Sequence, residues 1–191
     1  MLNSIRQYAI ENNIPIMRDS TVNALTNKIK ELMPARILEI GAAVGYSGII
    51  MLRSYDKAAL TTIEIDEQRA LKAKRNFKAA GLIDRAQVLI GDAVEIVPCI
   101  AEKYDFVLLD GPKGQYCAML PYLINMLNRG GEIFADNALY FGKTMDMSYN
   151  GHKHRTIVRN MRKFIDALYA DGRMHTRLIK TDDGIIIAKK L

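Results

Sequence analysis

The chain has 191 residues, 49% of them hydrophobic, which suffices for a buried core without disulfide or metal staples. Its 27 basic against 21 acidic residues give a formal charge of +6, a balance that favours a polyanionic partner. Its apolar runs are far shorter than the roughly 20 residues that cross a bilayer, and its N-terminus lacks an apolar signal core, so a cytoplasmic protein without a membrane span is expected.

Residues 4–12 and 20–32 read as two helices separated by Ile14-Pro15-Ile16, a segment placed to pack across the ligand-binding edge of the fold. Short apolar runs of strand length follow at 36–40, 60–63, 87–90, 105–109 and 132–135, with longer helical segments between them. Near-continuous apolar runs fit strands covered on both faces by helices, so the class is α/β with a mostly parallel sheet. Residues 67–80 form the best-bounded helix, with Asp66 as N-cap and Gly81 at the left-handed C-terminal position. Residues 175–179 and 185–189 flank Thr181-Asp182-Asp183-Gly184, an Asp-Gly turn signal that predicts an antiparallel hairpin. No repeat or linker divides the chain, so residues 1–191 are expected to be one domain on which residues 1–33 pack as a helical segment. Cys99 and Cys117 match no metal spacing and are expected to be reduced.

The first strand runs into a turn containing Gly41 and Gly45, residues that let backbone approach a ligand closely because neither has a Cβ. Glu64 ends the second strand, where a carboxylate can accept hydrogen bonds from both hydroxyls of a ribose. Asp92, followed by Ala93, ends the third strand and can meet an adenine amino group. Read blandly, the glycines serve a turn, Glu64 partners a helix N-terminus and Asp92 caps one. Ala43 and the lack of a third glycine depart from the dinucleotide fingerprint. With Glu39, Gly41 and Gly45 in Glu-x-Gly-x-x-x-Gly spacing, the sequence resembles class I S-adenosylmethionine methyltransferases. That resemblance implies a Rossmann-like fold with a seven-stranded sheet, its C-terminal hairpin strand antiparallel, and a cofactor site of Glu39, Gly41, Gly45, Tyr46, Ser47, Glu64, Asp92, Ala93 and Asp110.

Asp110 with Lys113 follows the fourth strand, and Asp136-Asn137 follows the fifth. Asp110, Asp136 and Asn137 supply only oxygen ligands, which suits Mg²⁺ or another hard divalent cation; the bland reading makes them a cap and a turn. From Ile14 to the C-terminus the chain looks like the metal-dependent O-methyltransferases that include the catechol and caffeoyl-CoA enzymes, whose Gly-Tyr-Ser is present as Gly45-Tyr46-Ser47. The resemblance implies Asp110, Asp136 and Asn137 as metal ligands, Lys113 as catalytic base or electrostatic substitute, and a homodimer.

Within that family Ile14-Pro15-Ile16-Met17, Lys113-Gly114-Gln115-Tyr116, Asp136-Asn137-Ala138-Leu139 and Asp182-Asp183-Gly184 most resemble the bacterial branch that methylates 5-hydroxyuridine at the tRNA wobble position. Lys143, Lys153, Arg155, Arg159, Arg162 and Lys163, with His152 and His154, then form a candidate phosphate-binding rim, or else a solvated basic face. The other readings are a small catechol-like acceptor, against which the absence of tryptophan and the five phenylalanines count, and a non-catalytic RNA-binding protein.

Overall fold

The computed structural model describes residues 1–140, 142–146, 149, 151, 154–180 and 183–191. In chain order the main elements are α1 (Leu2–Glu11), α2 (Asp19–Leu32), β1 (Arg36–Ile40), α3 (Tyr46–Ser54), β2 (Ala59–Glu64), α4 (Glu67–Ala79) and β3 (Ala86–Ile90). They continue with α5 (Ala93–Ile96), β4 (Tyr104–Leu109), α6 (Tyr116–Met126), β5 (Leu127–Ala135), α7 (Arg155–Ala170), β6 (Met174–Ile179) and β7 (Ile185–Lys190).

The seven strands form one sheet in the order β3-β2-β1-β4-β5-β7-β6. The first five are parallel to one another, while β7 runs antiparallel to both β5 and β6. The apolar runs reflect burial on both faces. Phe106 and Leu108 of β4 enter one core with Leu25, Ile49 and Phe77 from α2, α3 and α4, and Val107 and Leu109 enter the other with Leu123 and Phe164 from α6 and α7. Alternation along a strand therefore serves two apolar layers rather than one apolar and one wet face.

Local signals set several boundaries. The Asp66 carboxylate accepts the Arg69 amide at 3.0 Å and starts α4, and Gly81 takes φ +70 beyond its end. On α7 the buried Val158, Met161, Phe164, Ile165 and Leu168 recur at helical spacing, leaving Arg155, Arg159 and Lys163 exposed at four-residue intervals. One expectation needs correction: β5 begins at Leu127, upstream of the predicted 132. Leu127 pairs with Tyr104 and Glu132 with Phe106, so residues 128–131, with Gly130 at φ +80, lie in the register shift between the two paired stretches. The hairpin forms as expected, with Thr181 and Asp182 of its turn outside the described residues. Among the described residues no helix is long and apolar enough to cross a membrane.

The winding reverses between β1, from which the chain proceeds outward to β2 and β3, and β4, from which it proceeds to β5. Open α/β sheets bind ligands at such a switch point, outside the carboxyl ends of the strands.

Candidate active site

A cavity of about 640 Å³ opens at that switch point, within the size range of small-molecule and cofactor sites. Its wall includes Gly41, Tyr46, Ser47, Glu64, Asp92, Ala93, Asp110, Lys113, Asp136 and Asn137, so residues from five strand ends meet in one space.

The glycine turn is held by a carboxylate beneath it. Glu39 is fully buried, and its oxygens accept hydrogen bonds from the Ser47 hydroxyl and, at 2.6 Å, from the Thr62 hydroxyl. Burial pushes its carboxyl up to about 7, and the two hydroxyls hold it below where burial alone would put it. Glu39 and Gly45 lie behind the cavity wall rather than on it. Gly41 and Gly45 adopt φ +99 and +80, and between them Ala43 takes φ +43 despite its side chain. That strained residue is fixed by Glu64, whose Oε2 accepts the Ala43 amide at 2.7 Å while Oε1 accepts the Asp66 amide at 3.0 Å. Each oxygen keeps a further lone pair for a ligand hydroxyl, so the structural and binding readings of Glu64 are compatible.

Asp92 has the same double character. Its Oδ1 caps α5 through the Val94 amide at 2.9 Å, and its Oδ2 faces the Gln115 amide nitrogen at 3.4 Å. Gln115 thereby links the ends of β3 and β4.

At the other end of the cavity two carboxylates share one region. Asp110 is pushed up to about 7 by burial and then by Asp136, partly offset by Lys113. Asp136 is raised by burial, and it accepts the Asn137 amide at 2.7 Å and the Thr21 hydroxyl at 3.3 Å; Asp183 raises it further. The nearby phenol of Tyr116 is held well above its usual range by burial and by both aspartates. Two desolvated carboxylates that repel each other, with one lysine facing both, fit a site for a divalent cation. Among the described residues no group of three His, Cys, Asp or Glu forms a metal cage. A set of two carboxylates and the Asn137 amide suits Mg²⁺, which takes few protein oxygens and completes its shell with water and substrate.

The segment between α1 and α2 lines the cavity through Pro15, Ile16 and Met17, at the ligand-binding edge where Ile14-Pro15-Ile16 is expected to pack, and Gln115 and Asp183 of the motifs read for the family resemblance line it too. Arg18, Arg69 and Tyr140, which also line the cavity, are marked by no motif in the sequence. The tyrosines correct the inference from absent tryptophan and scarce phenylalanine, since Tyr46 and Tyr140 give the cavity aromatic walls. The Tyr140 hydroxyl lies 3.0 Å from His154 Nδ1, at the start of α7. Thr21 was hidden because it and Asp136 are 115 positions apart.

The candidate basic rim divides. Arg155, Arg159 and Lys163 are exposed on α7, and Lys143 Nζ lies 5.8 Å from the Tyr140 ring centre; none of the four lines the cavity. Arg162 does not belong to the rim: its guanidinium donates to the carbonyls of Thr144, Lys143 and Asp146, holding the loop before α7. His152 and Lys153 lie outside the described residues.

The sequence profile described as O-methyltransferase matches residues 1–191. Over 162 residues the chain is 30% identical to the catechol O-methyltransferase of Niastella koreensis, a match covering 80% of this chain and 72% of the other. Against the catechol O-methyltransferase of Mus musculus it is 33% identical over 129 residues, covering 63% of this chain and 49% of the other. An O-methyltransferase from Bacillus cereus, solved in complex with SAH, superposes with a TM-score of 0.90 at 25% identity, covering 100% of this chain and 90% of that one.

Proposed function

The chain belongs to the O-methyltransferase family, and from that premise we propose that it methylates the 5-hydroxyl of 5-hydroxyuridine at the wobble position of tRNA, giving 5-methoxyuridine. It is an S-adenosylmethionine-dependent O-methyltransferase of the catechol and caffeoyl-CoA type with the Rossmann-like methyltransferase fold.

The observation that carries the acceptor reading is the position of α7. Its Asn160 side chain donates to the Gly114 carbonyl at 3.0 Å, and the Cys117 thiol meets the Asn160 carbonyl at 3.3 Å. The basic helix is thus latched to the turn that carries Lys113, and Arg155 and Arg159 are exposed on that same helix. Guanidinium groups at four-residue spacing there suit phosphates flanking a nucleotide inserted into the cavity. A 5-hydroxyuracil also presents two adjacent oxygens, its 5-hydroxyl and 4-carbonyl.

In this reading S-adenosylmethionine, when bound, supplies the methyl group as an electrophilic sulfonium substituent. Glu64 would accept from its ribose hydroxyls, Asp92 would meet its adenine, and Tyr46 with Pro15–Arg18 would exclude water from its flank. Asp110, Asp136 and Asn137 would hold Mg²⁺ or another divalent cation, which supplies Lewis acidity that favours the ionised acceptor hydroxyl. Lys113 accepts the hydroxyl proton at Nζ when neutral, or stabilises the oxyanion when protonated. Thr21 and the Asn137 amide fix the Asp136 carboxylate, so that the acceptor is oriented by groups already in place.

A second reading, a small catechol, is favoured by the Tyr140 ring on the cavity wall. Offering tRNA containing 5-hydroxyuridine and a simple catechol in parallel, with S-adenosylmethionine and Mg²⁺, separates the two by mass spectrometry. Methylation of the nucleoside is expected; methylation of catechol alone would replace the acceptor and keep the chemistry.

A further inference from the structure

Arg6 lies on α1, remote in sequence from every strand end, yet its guanidinium reaches the frame of the cavity. It donates to the Asp19 carboxylate in the first turn of α2, to the Tyr46 hydroxyl at 3.4 Å and to the Met17 carbonyl at 3.5 Å. Its Cζ also lies 5.9 Å from the centre of the Tyr46 ring, within cation–π range. Tyr46 and Met17 both line the cavity, as do the neighbours of Met17, Pro15, Ile16 and Arg18.

The strap between α1 and α2 contains no helix or strand of its own, so side-chain contacts must set where it lies across the cavity. As a stabilising ion pair Arg6–Asp19 counts for little, because the Asp19 side chain is 78% exposed and such pairs are screened by solvent. Its geometric effect is different. With one arm on Asp19 the guanidinium is aimed at Tyr46 and Met17, bringing the strap and the first turn of α3 together. Helix α1 does not depend on Arg6 for its seat, since Ile5 and Ala9 are buried in the core. A second tie on α1, Lys72 Nζ at 4.0 Å from the Tyr8 ring centre, joins it to α4, and neither residue lines the cavity.

We propose that Arg6 is a positioning residue for cofactor retention, holding Tyr46 and the Pro15–Arg18 strap as a closed wall over the cofactor end of the cavity. The proposal rests on the S-adenosylmethionine reading above. Arg6 touches no reacting atom; it sets how long the cofactor stays.

The test compares full-length wild type, R6M, R6K, D19N and K72M by SAH affinity in calorimetry, SAH dissociation in stopped flow, and the KM values of S-adenosylmethionine and acceptor. R6M is expected to raise the SAH Kd about tenfold, mostly through faster dissociation, with acceptor KM and saturated kcat within about twofold of wild type. R6K is expected to recover part of the loss. D19N, altered at an exposed side chain that leaves folding intact, is expected to fall between R6M and wild type. K72M, which loosens α1 without touching the wall, is expected to leave SAH binding unchanged. Wild-type dissociation in R6M and D19N would overturn the role of Arg6, and so would equal effects of R6M and K72M, which would make α1 packing the cause. A wild-type chain that binds no SAH would overturn the cofactor reading itself, and this proposal with it.

Discussion

A Cβ added to Gly41 would stand 2.8 Å from the carbonyl oxygen of Asp110. The glycine turn after β1 and the metal-type loop after β4 therefore touch backbone to backbone, reinforced by the Asp110 amide donating to the Ile40 carbonyl at 3.0 Å. In the function proposed above, a methyl donor and an acceptor bound at the two ends of the cavity would be positioned by this one backbone contact.

Gly41→Ala should damage both ends at once. The methyl group meets main-chain atoms that cannot swing away, and φ +99 is strained for any side chain, so a cost of about 1–3 kcal/mol in stability is expected. Thermal unfolding and SAH calorimetry check this; a variant with wild-type melting and affinity would show that the contact has slack.

Glu39 should impose a pH dependence on stability. Its folded-state pKa is raised to about 7 from the ordinary 4.5, so between those values the folded chain holds a proton that the unfolded chain releases. Its contribution is intact below pH 4.5 and is lost as pH rises toward 7. Glu39→Gln keeps an acceptor and a donor for the Ser47 and Thr62 hydroxyls but cannot ionise. In chelator the melting temperature of E39Q relative to wild type should climb from pH 5 to pH 8, while Asp110, present in both, cancels to first order. A pH-independent difference would refute the assignment.

Removal of divalent cations should abolish turnover, and Mg²⁺ should restore it. Asp136→Asn should lower turnover by about 10²-fold or more, since a cation of this kind contributes several kcal/mol of charge stabilisation. In chelator the same variant should melt higher than wild type, because it relieves the repulsion that raises Asp110, and Mg²⁺ should no longer shift its melting. Full activity in chelator would end the metal reading.

Arg155→Ala with Arg159→Ala should weaken tRNA binding and make its logarithmic salt slope shallower by about 1–2, as two lost phosphate contacts require. Small-acceptor turnover should be unchanged, because neither residue lines the cavity. Arg162→Met should behave differently, lowering the melting temperature through three released loop carbonyls. An unaltered slope in the double variant would remove α7 from the acceptor argument.

The linear order of residues determined most of the architecture. Apolar runs without alternation meant strands buried on both faces, and β1 occupies residues 36–40 as read; the Asp66 cap placed α4 to within one residue at its end. The same order placed Gly41, Glu64, Asp92, Asp110 and Asp136 at successive strand ends, because parallel strands joined by crossovers all deliver their carboxyl ends to one edge. What needed the tertiary structure was every partnership across distance. Thr21 reaches Asp136, Gln115 faces Asp92, and Arg6 meets Tyr46, although no local pattern marks any of these pairs. Periodicity reports which face of an element is buried, whereas the angle at which α1, α2 and α7 cross the sheet decides which polar side chains arrive together. Arg162 shows the same limit in reverse: in the sequence it is one more basic residue of a basic stretch, and only the fold of the preceding loop turns it inward to three carbonyls while Arg155 and Arg159 stay in water.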